Sequence, residues 1–474
     1  MWGSVRKCLS IIRNKIGCDT GSIPGTNTNS PNKQATYSFT SDDDSQVWFS
    51  KQAMSYGVDT IYANAWSAPV YMKQRYVEII VQYLTYYKAA GIPISHVCFL
   101  NEGDGSDFKL STAEQTADVI PLLYNELKSQ GLSDIKMTCC DNIGWKSQME
   151  YTEKLAELDV EKYLGVVTSH QYSSDPETPI NTTLPTWMTE GAANDHTFAT
   201  AWYSNGGSNE GFTWAVKIAQ GIVNAELSAY IYWEGLETNN NGSLSHMIDT
   251  DGTNFSISSI LWAMAHWSRH IRPGVHRLST NGVVQDTIVG AFENVDGSIV
   301  MVLTNSGTAA QTVDLSVPEG SFSTAQAFTS DAESQMVDTQ VTLSNGAVKV
   351  TVPVHGVVTA KLTTGKSSAS VSTTIPSMST QSATSENQAS VYQTVSATTL
   401  SVVRASTYAQ STGVAVSAKA VNDTASTAPA ASTGLSKSLE GDTTKKSVYR
   451  PQKTHGTAHH RGGRRGSRHH GRCH

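Results

Sequence analysis

No stretch of this chain reaches the roughly 18 consecutive apolar residues that a membrane-spanning helix needs, so no span is expected. The opening residues, Met1 to Gly17, also make a poor signal peptide. Arg6, Lys7, Arg13 and Lys15 interrupt any apolar core, and no small-residue cleavage site follows. Read as written, the chain would stay in the cytosol. Cysteine is scarce: Cys8, Cys18, Cys98, Cys139, Cys140 and Cys473 are all there is, and none has the C-x2-C spacing of a metal site. Cys98 and the Cys139/Cys140 pair fall in apolar runs and are expected as core thiols. Charged residues make up 16% of the chain and hydrophobic ones 39%, with a net charge of −7. The body has no basic stripe of the kind that grips nucleic acid. No Gly-rich phosphate loop follows any apolar run, which removes the dinucleotide-binding reading of an α/β chain. These patterns call for no cofactor and no metal. The histidine pairs His459/His460 and His469/His470 of the basic end read as adventitious.

What the sequence does contain is alternation. From residue 9 to about 270, short apolar runs alternate with helical patterns. The runs are Leu9–Gly17, Thr60–Pro69, His96–Glu102, Ile135–Asp141, Leu164–Tyr172, Thr186–Glu190 and Ala229–Gly235. Between them, Val77, Ile80, Val81 and Leu84 fall at helical spacing, as do Val119, Ile120, Leu123 and Leu127. The second of these helices opens on Ser111 and Glu114 at capping-box spacing and ends at Gly131, with Pro121 as a potential break inside it. Strand–helix alternation of this kind implies a parallel α/β architecture. Polar and aromatic residues close strand after strand, at Asn64/Trp66, Asn101/Glu102, Asp141, His170/Tyr172, Glu190 and Trp233/Glu234. That is the signature of the C-terminal face of a (β/α)8 TIM barrel rather than of an open sheet. Only seven runs qualify as strands, because residues 19 to 45 are polar and lack strand pattern, so the barrel is expected to lack its first strand.

Beyond residue 274 the helical period stops. The runs Asp286–Phe292, Gly297–Thr304, Gln311–Val317, Thr324–Phe328, Gln340–Ser344, Ala347–Pro353 and Gly356–Leu362 alternate with the turn signals Asp296-Gly297, Ser306-Gly307 and Asn345-Gly346. They imply an antiparallel β-sandwich. The expected organisation is therefore a catalytic barrel over 1–273, a sandwich over 274–364, and a disordered tail over 365–474. That tail is Ser/Thr-rich and turns basic, with Arg, His and Gly, from Lys445 to His474. The sequons at Asn181, Asn241, Asn254 and Asn422 are compatible with secretion. Ten Trp and 18 Tyr would suit either a sugar-lined cleft or an aromatic core.

Two carboxylates stand out by position. Glu102 ends one run and Glu190 ends another, so both would emerge at one mouth. Cleavage of a glycosidic bond needs such a pair: one carboxyl protonates the leaving oxygen, and the other attacks the anomeric carbon.

Four segments resemble glycoside hydrolase family 30, over roughly residues 9 to 364. They are Tyr62–Lys73 with Trp66 and Pro69, Gly91–Asp104 with Asn101 and Glu102, Trp187–Glu190, and Leu261–Gly274. The resemblance implies that Glu102 is the acid/base and Glu190 the nucleophile. It implies that Asn101 binds the sugar 2-hydroxyl and that Arg13 holds the nucleophile as its ionised carboxylate. Trp66, His170, Tyr172 and Trp233 would line the subsites, Trp66 and Trp233 having barrel core as their alternative place. Glu234 and Glu237, after the last strand, read as solvated or supporting residues. The segments Gln46–Ala53, Thr138–Asp141 and Leu164–His170 look most like fungal xylan-cleaving members. The implied activity is a retaining endo-β-1,4-xylanase or glucuronoxylanase. The alternatives are an endo-β-1,6-galactanase, a glucosylceramidase-like enzyme, and a non-catalytic polysaccharide-binding protein of the cell wall. The implied partner is a polysaccharide or glycoconjugate substrate, handled by a monomer, and family members imply an extracellular, secreted protein. Three departures from the family pattern stand out: Gly103 in place of the usual Pro, which would loosen the loop behind Glu102; Val70 in place of Gly; and a short segment from Val70 to Arg75. With the first strand, the signal peptide and the sandwich's N-terminal strand lacking, the sequence reads as N-terminally truncated.

Overall fold

Strands buried on both faces must be apolar throughout, and the seven apolar runs of the first half meet that condition. The computed structural model describes residues 9–17, 37, 39, 42–66, 76–105, 111–193, 197–238, 245–317, 321–365 and 416–420. The segment 70–75, the basic end, Cys8, Cys18 and Cys473 lie outside them. The runs form β1 (Ile11–Ile16), β2 (Thr60–Ala65), β3 (His96–Cys98), β4 (Lys136–Asn142), β5 (Val166–His170), β6 (Thr186–Glu190) and β7 (Ala229–Tyr230). They make one 7-stranded parallel sheet in the order β1-β2-β3-β4-β5-β6-β7. The sheet curls. Ile11 of β1 packs against Val166, Trp187 and Ala229 from the opposite end of the strand order. The Trp187 ring meets Tyr62 at 6.3 Å and His96 at 4.4 Å across the interior.

Helices cover the outside of the curl: α1 (Gln46–Ser55), α2 (Tyr76–Ala89), α3 (Ala113–Ser129), α4 (Trp145–Glu157), α5 (Gly211–Ala219) and α6 (Ser259–Ser268). The apolar stripe of α2 faces inward, with Ile80, Val81 and Leu84 buried, and Ile120, Leu123 and Leu127 do the same for α3. Helix α3 runs unbroken through Pro121. Its capping box lies one residue later than the sequence pattern suggested: Thr112 accepts from the Gln115 amide, and Gln115 accepts from the Thr112 amide. Cys139 and Cys140 are buried as expected but are joined to each other, so Cys98 is the free cysteine of the described core.

Between β7 and α6 lies a small sheet that the sequence did not suggest, formed by β8 (Leu236–Thr238), β9 (Ile248–Thr250) and β10 (Phe255–Ile257). Beyond α6 come β11 (His276–Leu278), β12 (Thr280–Asn281), β13 (Thr287–Glu293), β14 (Ile299–Asn305), β15 (Gln311–Ser316) and β16 (Phe322–Ser330). They are followed by β17 (Val337–Thr339), β18 (Thr342–Ser344), β19 (Ala347–Val352), β20 (Gly356–Thr364) and β21 (Val416–Ala420). A 6-stranded sheet, β11-β13-β14-β20-β16-β17, faces a 5-stranded one, β12-β21-β15-β19-β18. Side chains from both sheets form one core, with Met301, Leu303, Val313, Leu315, Val350 and Leu362 buried. The β18–β19 turn has Asn345 at φ 51° and Gly346 at φ 76°, the positive pair a tight hairpin requires.

The sandwich is locked to the curled sheet's helices. Phe212, Trp214, Ile260 and Trp267 share a buried cluster with Phe292, Val300, Val302 and Val357. At its centre His266 of α6 is fully enclosed, its Nδ1 2.7 Å from Thr359 Oγ1 and its Nε2 2.8 Å from Ser330 Oγ. Burial, helped by the charge of His270, lowers its pKa from 6.5 to about 3. The unfolded chain would take up this proton as pH falls through 6.5, whereas the folded chain holds out until about 3. His266 therefore removes stability progressively over that window and nothing above it. Chemical denaturation at pH 7.5 and pH 5 should show a smaller acid loss for His266→Gln than for the wild type. An equal loss in both would mean that the folded imidazole titrates normally.

Candidate active site

Parallel strands deliver their C-terminal ends to one face, and the polar residues at those ends converge there. Arg13, pointing inward from β1, is at the centre. One guanidinium nitrogen bonds Glu190 Oε2 at the end of β6. The other donates to Asn101 Oδ1 at 2.8 Å and to Asp141 Oδ2 at 3.3 Å, and lies 3.4 Å from His170 Nε2. Burial works against the charge on Arg13, but Glu190 and Asp141 outweigh it and hold the group protonated well above its ordinary range.

Asp141 is the second hub. It is fully buried and accepts from Tyr62 Oη at 2.6 Å, from Thr189 Oγ1 at 2.8 Å and from Asn64. Burial opposes its charge, yet His170 and then Arg13 hold its carboxyl well below the usual range. Its neighbourhood raises the pKa of the fully enclosed Cys98, through burial and then the charge of Asp141, to about 12. That thiol is inert at neutral pH.

Glu102 is aimed by backbone rather than by a strand. β3 ends at Cys98, earlier than the apolar run to Glu102 suggested, because the chain leaves the ladder before Glu102. Glu102 has φ 49°, an uncommon conformation for a residue with a Cβ, and its amide donates to Asp141 O at 2.8 Å. Gly103 does not leave the loop loose. Its carbonyl accepts from the Ser111 amide at 2.8 Å, and Asp104 Oδ1 accepts from the Ile143 amide at 2.9 Å. A Cβ at Gly103 would sit 2.7 Å from Leu100 Cδ2.

His170, fully buried, links the two carboxylates. Its Nδ1 is 2.9 Å from Glu102 Oε1, and its Nε2 is 3.6 Å from Glu190 Oε2. One ligand-type atom from each of Glu102, His170 and Glu190 lies within 4.8 Å of the others, so the two carboxylates face one another across a gap of at most that width. Three such groups could hold a cation, but the Arg13 guanidinium already supplies the positive charge there. Tyr172 Oη donates to Glu190 Oε1 at 2.9 Å, and burial, then the charge of Glu190, raises the phenol's pKa. Trp66 and Trp233 are half-buried and lie side by side, ring centroids 5.2 Å apart, with the Arg13 guanidinium 5.9 Å from the Trp66 ring. All eight residues singled out in the sequence thus converge on one mouth.

The sequence reading gave no role to Tyr62, Asn64, Asp141 or Thr189, although Asn64 and Asp141 end runs that it identified. Glu234 is not a plainly solvated residue. Burial, then its bond to and the charge of Glu237, then Glu190, raise its pKa above the usual carboxylate range. Glu237 also lies 2.8 Å from His246 Nδ1, and Asp249 lies 3.1 Å from its Nε2.

Burial tends to lower the pKa of His170, but Glu190, Asp141 and Glu102 outweigh it and raise the value from 6.5 to about 9. A raised folded value contributes stability that is complete below 6.5 and is lost as pH rises through about 9. An NMR titration should find the His170 ring protonated at pH 7.5, with a lower midpoint in Glu102→Gln; a midpoint near 6.5 in the wild type would contradict this. Asp141→Ala should destabilise the fold by about 3–5 kcal/mol, because it leaves buried partners uncompensated. A loss below about 1 kcal/mol in chemical denaturation would show that the hub is dispensable.

Comparison with known proteins bears on this arrangement. Residues 4–276 match the family model described as Glycosyl hydrolase family 59. Among solved structures, the catalytic domain of GH30 xylanase C from Talaromyces cellulolyticus is 39% identical, covering 75% of this chain and 88% of that one, with a TM-score of 0.70. A glycoside hydrolase family 30 subfamily 8 xylanase from Clostridium acetobutylicum shares the fold at 18% identity, over 75% of this chain and 89% of that one, with a TM-score of 0.59. An endo-β-1,6-glucanase shares it at 19% identity, over 75% and 83%, with a TM-score of 0.58. The match over 4–276 takes in the parallel sheet and its helices, whereas 39% identity over 75% of the chain reaches further, and on that ground the chain belongs to glycoside hydrolase family 30.

Proposed function

We propose that this chain is a retaining glycosidase of β-linked polysaccharide, with xylan or glucuronoxylan as its substrate. The observation that carries the mechanism is the separation of at most 4.8 Å between an oxygen of Glu102 and one of Glu190. Retaining enzymes hold their carboxylates about 5–5.5 Å apart, whereas inverting enzymes leave about 6.5–9.5 Å for an intervening water. The choice of xylan rests on the 39% identity to a family 30 xylanase.

Glu190 is the nucleophile. Arg13 on one oxygen and Tyr172 on the other fix its plane. Glu102 is the acid/base. His170 occupies its Oε1, which leaves the second oxygen to carry the proton. In the first step that proton passes to the glycosidic oxygen, the bond from this oxygen to the anomeric carbon breaks, and a Glu190 oxygen bonds the carbon. In the second step Glu102 takes a proton from water, the water oxygen bonds the anomeric carbon, and the ester to Glu190 is released. Asn101, fixed by Arg13, is suited to the sugar 2-hydroxyl, and Trp66 and Trp233 offer aromatic faces to the rings.

Reducing-sugar release should be measured on glucuronoxylan, β-1,6-galactan and β-1,6-glucan. We expect turnover on glucuronoxylan, a loss of about 10²- to 10⁴-fold in Glu102→Gln, and no turnover in Glu190→Gln. Turnover confined to a β-1,6-linked polymer would replace the substrate. Binding without release in the wild type would replace the enzyme by a binding protein.

A further inference from the structure

Tyr172 closes one side of the Glu190 site and also lines a second cavity on the far side of its ring. This cavity, of about 150 Å³, is walled by Gln171, Asp175, Ser208, Trp214 and Lys217 as well. Its polar groups are already committed. Lys217 Nζ bonds both Asp175 oxygens, at 2.6 and 2.5 Å, and lies 5.8 Å from the Trp214 ring centroid. The Gln171 side chain accepts from Tyr230 Oη at 2.7 Å.

Lys217 also lines the next cavity, of about 350 Å³, at the seam between α5 and the sandwich. Three rings from both sides of the seam meet there. Tyr203 stacks on His355 at 3.9 Å, and Phe212 sets its edge against both, at 5.7 and 5.4 Å. Phe212 is buried, while Tyr203 and His355 remain partly exposed. The platform is rigid from both directions. The buried Glu210 carboxylate accepts from the amides of Ser204 at 3.0 Å, Asn205 at 3.2 Å and Gly206 at 3.0 Å, which fixes the loop carrying Tyr203. The turn carrying His355 is held by Trp202 Nε1 on the His355 carbonyl at 2.7 Å and by Asn305 Nδ2 on the Pro353 carbonyl at 2.9 Å.

We propose that the two cavities form one accessory groove that binds a distal, uncharged stretch of the same polysaccharide chain whose scissile bond lies between Glu102 and Glu190. The proposal rests on the glycosidase reading. Continuity through Tyr172 and Lys217 names the occupant: a chain leaving the mouth past Tyr172 meets this surface next. The charge balance names its chemistry, because a lysine neutralised by Asp175 offers hydroxyl groups a partner but gives an anion no advantage. Tyr203 and His355 supply a ring face for sugar C–H groups, and a rigid platform limits the ordering cost of binding.

The test is affinity electrophoresis of the full chain carrying Glu190→Gln, through gels holding glucuronoxylan, β-1,6-galactan or β-1,6-glucan. We expect retardation in at least one gel, weakened about two- to tenfold by adding Tyr203→Ala and retained with Tyr203→Trp. His355→Asn, which suits the left-handed backbone at φ 48°, should weaken it from the sandwich side and stands in if Tyr203→Ala misfolds. Retardation independent of both rings, or none in any gel, overturns the groove. Wild-type hydrolysis together with ring-independent retardation removes the groove and leaves the glycosidase. Ring-dependent retardation without hydrolysis keeps a polysaccharide surface and removes the glycosidase.

Discussion

A guanidinium buried among carboxylates sets the terms for this molecule. Arg13, Glu190 and Asp141 are all enclosed, and each alone would be strongly disfavoured away from water. They are tolerable only together, which requires β1, β4 and β6 to bring their polar ends to one point. The cluster is thus a constraint on the curl of the sheet as much as on chemistry. A sheet opened flat would separate Arg13 from Glu190 and leave both uncompensated. Asp141 passes the constraint outward: through Tyr62 and Asn64 it ties in β2, through Thr189 it fixes the end of β6, and through its carbonyl it holds Glu102 in place.

The same cluster divides labour between two chemically identical side chains. Glu190 is gripped at both oxygens, by Arg13 and Tyr172. Glu102 sits at the rim on a left-handed backbone, with His170 as its partner. A protonated His170 between them adds positive charge at the point where two carboxylates would otherwise repel. The sandwich contributes from behind. Phe292, Val300, Val302 and Val357 of its 6-stranded sheet pack into the cluster of α5 and α6, so the last helices of the curled sheet are clamped.

Much of this was legible in the sequence. Parallel strands buried on both faces have to be continuous apolar runs, and all seven were read in order. The alternating runs beyond residue 274 matched β13 to β16 and β18 to β20, whereas the short β11, β12 and β17, and β21 within the tail expected to be disordered, were not read. Glu102 and Glu190 were found by their places at strand ends, reinforced by the likeness to family 30, and Arg13, inside β1, was found through that likeness alone. Boundaries were less legible. Adjacent Ser111 and Thr112 both suit a helix cap, and only packing chose Thr112; the run to Glu102 reads as strand throughout, although the ladder stops at Cys98. Asp141 could be seen as a strand end but not as a hub, since Arg13, Tyr62, Asn64 and Thr189 are remote from it in sequence. The raised pKa of Glu234 was hidden for a different reason: a Glu after a strand is usually solvated, and the small sheet of β8 to β10 that follows it is too short and polar to be read.

The central claim is our proposal that Glu102 and Glu190, an oxygen of each lying within 4.8 Å of the other, work through a covalent glycosyl intermediate, the close spacing that retaining enzymes use. The most direct measurement is the anomeric configuration of the first-formed product, followed by proton NMR during the opening minutes of polysaccharide hydrolysis. The account predicts that the β-configured sugar appears first and then mutarotates. An α-configured first product would mean a single displacement by water, and would contradict the geometry on which the account is built.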